Sequence, residues 1–282
     1  MPHFTIRAPT RSILAALAVA LAPASAGAQP LPPFGGTAAL GEWVETDGAR
    51  IRVLVGPVDA DGTARGAVEI DLEPGWHTYW IAPGPTGIPP RFDAAGSRNV
   101  DLVAMSHPAP HRLTDAYGTS VGYEDDVAFP FELAVRDADA PAHLRLGGLL
   151  GVCDEICVPV PLAVEGEVPA GRSVPGAVTL PIDMARMGLP LPGRPGALAA
   201  SVVDGAVTVA GLPEGAEAFV APPPGLMLAE GEREGGGWRA AILRDDLADD
   251  ARDEMEGESG GDLTVVVRDG AMETIHRVPL TR

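Results

Sequence analysis

The two cysteines of this 282-residue chain stand with three residues between them, in the run Leu149-Leu150-Gly151-Val152-Cys153-Asp154-Glu155-Ile156-Cys157-Val158-Pro159. Two thiols so placed can close a disulfide, hold a soft metal or exchange electrons. In an extended strand, residues four apart lie ~13 Å from one another, beyond the about 4.4–6.8 Å between Cα atoms that a disulfide spans. Pairing Cys153 with Cys157 therefore requires a sharp bend between Leu150 and Val158, a cysteine-bearing turn joining two strands. Closing so small a loop adds little stability, because the entropic benefit grows with loop length. That favours a bond that opens over a staple. Asp154 and Glu155 lie between the sulfurs, and no Lys, Arg or His stands within several residues. Neighbouring acids disfavour the thiolate, so neither cysteine reads as a strongly activated free nucleophile. The pair suits being attacked as a disulfide and passing electrons on under a partner's control. A structural bond and a metal site stay open at this level.

Other side chains offer weaker chemistry. Met105, His107 and His111 lie close in sequence and could bind copper, though both histidines sit beside prolines and also read as ordinary loop residues. Ser106 and Ser120 lack a Gly-x-Ser-x-Gly context, and Asp125-Asp126 reads as a hairpin turn. No glycine-rich nucleotide loop is present, so no cofactor is expected. The formal charge is −19. Such acidity excludes nucleic acid and anionic membrane surfaces as partners. The acids of 245–258 read as a solvated loop.

These residues must be positioned by a β scaffold. Arg7 and Arg11, the apolar Ile13–Ala22 run and Ala26-Gly27-Ala28 read as a secretory signal peptide over residues 1–28, cleaved after Ala28 or else after Ala26. Its removal takes away two arginines and no acid, moving the charge from −19 to −21. No other run reaches the ~20 apolar residues of a membrane span, so the mature chain is expected to be soluble, without membrane insertion. Export and two cysteines place it in an oxidising compartment, the periplasm. Gly (35) and Pro (29) punctuate short β-branched runs such as Ala49–Val55, Ala64–Leu72, Trp76–Trp80, Val127–Val135, Leu144–Leu150 and Val158–Val168. No sustained 3.6-residue period occurs before residue 180. The expectation is an all-β chain: an immunoglobulin-like antiparallel β-sandwich over 29–168, with a closed barrel as the alternative. A Pro-rich linker or strap over 169–197 follows, with room for a short helix at Ile182–Met187. A second, smaller β domain over 198–282 is built from Leu198–Val209, Ala218–Ala221, Trp238–Leu243, Leu263–Val267 and Thr274–Val278.

Several motifs in order carry a resemblance. Gly75-Trp76-His77-Thr78-Tyr79-Trp80, Pro83-Gly84, Gly87–Asp93, Pro108–Arg112, Tyr117–Tyr123 and Cys153–Pro159 resemble the N-terminal periplasmic domain of the DsbD thiol:disulfide interchange family, and most closely its ScsB-like, copper-tolerance-associated branch. The resemblance covers about 38–168. It implies an immunoglobulin-like fold whose cysteines cycle between dithiol and disulfide. It implies a membrane-embedded electron donor acting through a thioredoxin-like module. The implied acceptors are periplasmic thioredoxin-like proteins, such as those of cytochrome c maturation, and disulfide isomerases. A cap loop matches Asp115-Ala116-Tyr117-Gly118, with Tyr117 as the shield. Tyr79 and Trp80 match family aromatics, with core packing an equal reading. The better-known members space their cysteines by five residues rather than three, and this sequence holds no Cys-x-x-Cys module, so it must borrow reductant from another chain. The resulting expectation is a protein-disulfide reductase-like relay through Cys153 and Cys157. A non-catalytic binding module with a structural disulfide and a copper-handling protein remain as alternatives.

Overall fold

Turn chemistry sets the first hairpin. Asp61 Oδ1 accepts from the Thr63 amide (3.0 Å) and hydroxyl (2.7 Å), and Gly62 takes a positive φ of 82° that few other residues tolerate. On either side run two ten-residue strands whose inward residues are fully buried, as alternation predicts. In the computed structural model, which describes residues 38–115, 118–169, 175–246 and 261–281, this hairpin is β3–β4. The expected signal peptide, residues 116–117 and most of the acidic 245–258 run lie outside the described residues.

The first twelve strands are β1 (Ala38–Ala39), β2 (Val44–Thr46), β3 (Ala49–Val58), β4 (Thr63–Leu72), β5 (His77–Tyr79), β6 (Arg91–Asp93), β7 (Val100–Met105), β8 (His111–Asp115), β9 (Gly118–Tyr123), β10 (Val127–Val135), β11 (His143–Cys153) and β12 (Cys157–Glu167). They form two sheets. One has the order β1-β12-β11-β5-β9-β8, with β6 also on β11, and the other has the order β2-β3-β4-β10-β7. Ile51, Val68, Phe129 and Phe131 of the second sheet pack in one cluster with Leu144, Leu146, Leu150 and Val164 of the first, so the sheets face each other as a sandwich. All-β architecture with an immunoglobulin-like sandwich is what the structure has. Asp125-Asp126 corrects one expectation. It joins β9 to β10, which lie in different sheets, so it is a corner rather than a hairpin, and Asp126 Oδ1 anchors it on the Leu72 amide (2.8 Å).

The proline-rich segment holds more structure than expected. Helix α1 (Gly176–Met187) runs through Pro181, twice the length of the anticipated Ile182–Met187 turn. Pro181 forfeits one intrahelical bond, and burial of Ile182 against Leu54 and Ala67 offsets that loss. The helix is thus a strap on the sandwich's outer face.

Nine strands follow: β13 (Leu191–Pro192), β14 (Ala199–Val203), β15 (Ala206–Ala210), β16 (Glu217–Ala221), β17 (Leu226–Leu228), β18 (Glu232–Glu234), β19 (Gly237–Asp245), β20 (Asp262–Asp269) and β21 (Met272–Thr281). They build one sheet around their own core of Val207, Val209, Leu263, Val265 and Leu280. The expected single run Leu198–Val209 is instead a hairpin. Asp204 (φ 47°) and Gly205 (φ 70°) turn it, the Asp-Gly pair that two-residue hairpins favour. The first cluster reaches into this sheet through Phe219, Ala221 and Val266, with Phe219 set edge-on to Trp80 at 6.4 Å. Arg112 (5.5 Å) and Arg268 (5.7 Å) cover the Phe219 ring, and Arg112 donates to Glu217 at 3.0 Å.

The His107 ring lies tilted against Phe129 with centroids 4.8 Å apart, its buried Nε2 has no hydrogen-bond partner among the described residues, and burial pushes its pKa down to about 4. The unfolded chain takes up this proton near pH 6.5 and the folded chain only near 4, so stability falls as pH drops between those values. A loss of up to about 3 kcal/mol across that window is expected from this one group. Urea titrations at pH 7 and pH 4.5 should show it, and His107→Phe should remove that share of the difference.

Candidate functional site

The site begins with register. Strands β11 and β12 pair residue for residue from His143↔Glu167 to Val152↔Val158, and the last pair is Cys153↔Cys157. Directly opposed cysteines of an antiparallel pair have neighbouring side chains, and here they are joined in a disulfide with the Cα atoms 4.1 Å apart. Only Asp154-Glu155-Ile156 remains to make the turn. The bend expected from spacing is the tip of this hairpin. Cys153 is fully buried, Cys157 is exposed, and the three turn residues are exposed.

The third strand supplies the chemistry that sequence reasoning underweighted. Short β5 lies beside β11 with Thr78 opposite Val152 and His77 opposite Cys153. The buried Thr78 hydroxyl donates to the Gly151 carbonyl at 2.8 Å, pinning the strand. Tyr79, 3% exposed, places its hydroxyl 3.0 Å from the Sγ of Cys153 and 3.0 Å from the Sγ of Cys157. His77 Nε2 lies 3.4 Å from the same hydroxyl. Glycine makes room for the ring on both edges. A Cβ at Gly87 would come within 2.9 Å of Tyr79 Cδ1, and one at Gly151 within 2.8 Å of Tyr79 Cδ2. The two glycines of the sequence motifs are therefore a slot for this phenol. Trp80, by contrast, is core: 1% exposed and packed on Phe219.

A phenol hydroxyl has one proton to donate and lone pairs to accept with. Facing both sulfurs, it can hydrogen-bond whichever becomes thiolate when the bond opens. This matters most at Cys153, since an unpartnered charge with no access to water is costly. Cys157 is the more exposed residue of the pair.

The remaining predicted residues are placed as follows. Asp115 and Gly118 face each other across the closed end of the β8–β9 hairpin, in the same sheet as the disulfide. Tyr117, Ala116 and the Asp115 side chain lie outside the described residues. Each copper candidate has another contact. Met105 packs on the first core, the His107 ring lies tilted against Phe129, and His111 Nδ1 lies 3.0 Å from Arg268 Nη1. A groove of about 780 Å³ between residues 81–91 and residues 218–231 includes neither cysteine, although its Gly87 backs onto Tyr79.

Residues 46–164 match the family model described as thiol:disulfide interchange protein DsbD, N-terminal. That segment is a DsbD N-terminal domain. The match holds β3 to β11 whole, with most of β12, and so contains both cysteines and Tyr79. The N-terminal periplasmic domain of ScsB from Proteus mirabilis is similar in structure at 21% identity and a TM-score of 0.61, over 85% of this chain and 97% of that one. At that coverage the shared fold extends past the DsbD N-terminal domain into the second β unit. A conserved domain protein from Bacillus anthracis (10% identity, TM-score 0.22, 84% of this chain and 88% of that one) is too distant to bear on either. No curated protein matches the chain. Among the described residues no helix is long and apolar enough to cross a membrane.

Gly151→Ala tests the slot. The added methyl would stand 2.6 Å from Ile88 Cβ as well as against Tyr79, so the ring or the 83–88 loop must shift. Overpacking of this kind costs about 1–3 kcal/mol, to be read from urea unfolding. Disulfide reduction by dithiothreitol should also change in rate as the hydroxyl leaves the sulfurs.

Proposed function

We propose that this chain is a periplasmic thiol–disulfide exchange protein that relays electrons through Cys153 and Cys157 to partner proteins. The observation that carries the reading is the asymmetric disulfide, buried at Cys153 and open at Cys157, with the Tyr79 hydroxyl 3.0 Å from each sulfur. Membership of the DsbD N-terminal family supports exchange chemistry in general. The signal-peptide pattern at residues 1–28 supports export. With only two cysteines in the sequence, the donor dithiol lies outside it. By family analogy it is a thioredoxin-like module fed by a membrane-embedded protein.

In the loading half-reaction a donor thiolate attacks Cys157 Sγ. A donor–Cys157 disulfide forms, the Cys153–Cys157 bond breaks, and Cys153 leaves as a thiolate hydrogen-bonded by Tyr79. The donor's second thiolate then attacks its own sulfur in the mixed disulfide and releases Cys157. Two electrons have moved, the donor is a disulfide, and this chain takes up two protons as its thiolates are neutralised. In the unloading half-reaction the Cys157 thiolate attacks an oxidised acceptor, and the Cys153 thiolate resolves the mixed disulfide, restoring the starting bond. Acceptors of this kind include thioredoxin-like proteins and disulfide isomerases.

Titration in thiol redox buffers should give a reduction potential less negative than about −300 mV, the range of bonds that open in use. A lower value would mean a structural bond. Cys153→Ser should trap a mixed disulfide at Cys157 with a thioredoxin-like partner, and Cys157→Ser should trap far less. Tyr79→Phe keeps the ring but removes the proton donor, so single-turnover exchange should slow by about 10- to 100-fold with the fold intact by circular dichroism.

A further inference from the structure

We infer that Ile156 selects the protein partner of this site: it inserts into an apolar recess beside the partner's reactive cysteine, and Asp154 and Glu155 require positive charge on the rim of that recess. The inference rests on the exchange reading above and names the partner surface that reading leaves open.

Ile156 stands at the hairpin tip, 76% exposed, next to the exposed Cys157. A single exposed aliphatic side chain elsewhere on a protein needs no explanation. This one differs because of where it is. In a mixed disulfide the partner's cysteine Cα lies within about 7 Å of Cys157 Cα, and consecutive Cα atoms are about 3.8 Å apart. Ile156 Cα is then within about 11 Å of the partner's cysteine Cα in any productive encounter, so it lies inside the interface whatever the partner's shape.

The turn itself gives no reason for isoleucine. None of residues 154–156 has a positive φ, so the turn imposes no special backbone, and short loops favour Gly, Asn, Asp and Ser over a β-branched residue. The side chain does not contribute to either apolar core. What it does is present apolar surface beside the reactive sulfur. Burying such a side chain on association is worth roughly 10- to 100-fold in affinity. Asp154 and Glu155 are exposed and make no ion pair among the described residues. Two unpaired acids on a chain of net charge −19 repel an acidic approach and steer a basic one.

Dithiothreitol does not cover the tip, so its rate reports sulfur reactivity alone. A reduced thioredoxin, which presents its attacking cysteine on an apolar surface, reports the docking as well. The oxidised full chain is mixed with each reductant, and single-turnover reduction is followed by thiol labelling. Ile156→Ser should lower the thioredoxin rate by 10-fold or more and leave the dithiothreitol rate within twofold. Adding surface lysines around the thioredoxin cysteine should raise its rate at low salt, and Asp154→Asn with Glu155→Gln should abolish that gain. An Ile156→Ser rate unchanged with thioredoxin, or lowered equally with both reductants, overturns the inference. So does a wild type that accepts electrons from dithiothreitol but not from thioredoxin, and a lysine gain that survives the double variant removes the charge requirement. A wild-type disulfide that resists both reductants brings down the exchange reading instead.

Discussion

Eleven consecutive cross-strand pairs hold β11 against β12, and everything at the site depends on that register. A one-residue slip in an antiparallel pair would send alternate side chains to the wrong face. Leu144, Leu146, Leu150, Val160, Leu162 and Val164 would leave the sandwich core, and the two cysteines would no longer oppose each other. The burial that fixes the register therefore also brings the sulfurs together. The same core sets β5 beside β11, and the Thr78–Gly151 hydrogen bond fixes how far along β11 it sits. Tyr79 meets the disulfide because the hydrophobic pattern of strands far from the tip leaves it no other place.

The second β unit contributes no cysteine, yet it is not an appendage. Phe219 closes one end of the first core against Trp80, and the Arg112–Glu217 and Arg268–Glu217 contacts surround it. Trp80 directly follows Tyr79 in the chain, so the packing that holds the second sheet also holds the end of β5. This gives the DsbD N-terminal domain a buttress beside the strand that carries Tyr79.

Much of this was legible in the sequence. Alternating β-branched runs and turn residues such as Asp61-Gly62 marked the strands, because their conformational preferences act locally. The need for a bend between Cys153 and Cys157 followed from distance alone. Other features depend on contacts that no local pattern carries. Helix α1 runs through Pro181 because Ile182 has an apolar seat on β3 and β4, which tertiary structure alone provides. Tyr79 read equally well as core because its partner Cys153 is 74 residues away and the link is a strand register. The alternation of His77 and Tyr79 on one face of β5 was visible, but nothing in the sequence said which strand that face would meet. Asp125-Asp126 carries the same turn chemistry whether it joins neighbouring strands or two sheets.

The place of the disulfide in its hairpin has one more consequence. The bond closes a ring of five residues at the end of a ladder that hydrogen bonds and a shared core already hold shut. Opening it frees little chain entropy and leaves the sandwich and the Tyr79 slot supported by contacts that do not involve sulfur. Under the proposed function, the oxidised and reduced forms would differ at a few atoms, and the site would act as a rigid electrode rather than a hinge. In the proposed exchange, encounter with the partner and placement of the proton would then set the rate, with no refolding step in either direction.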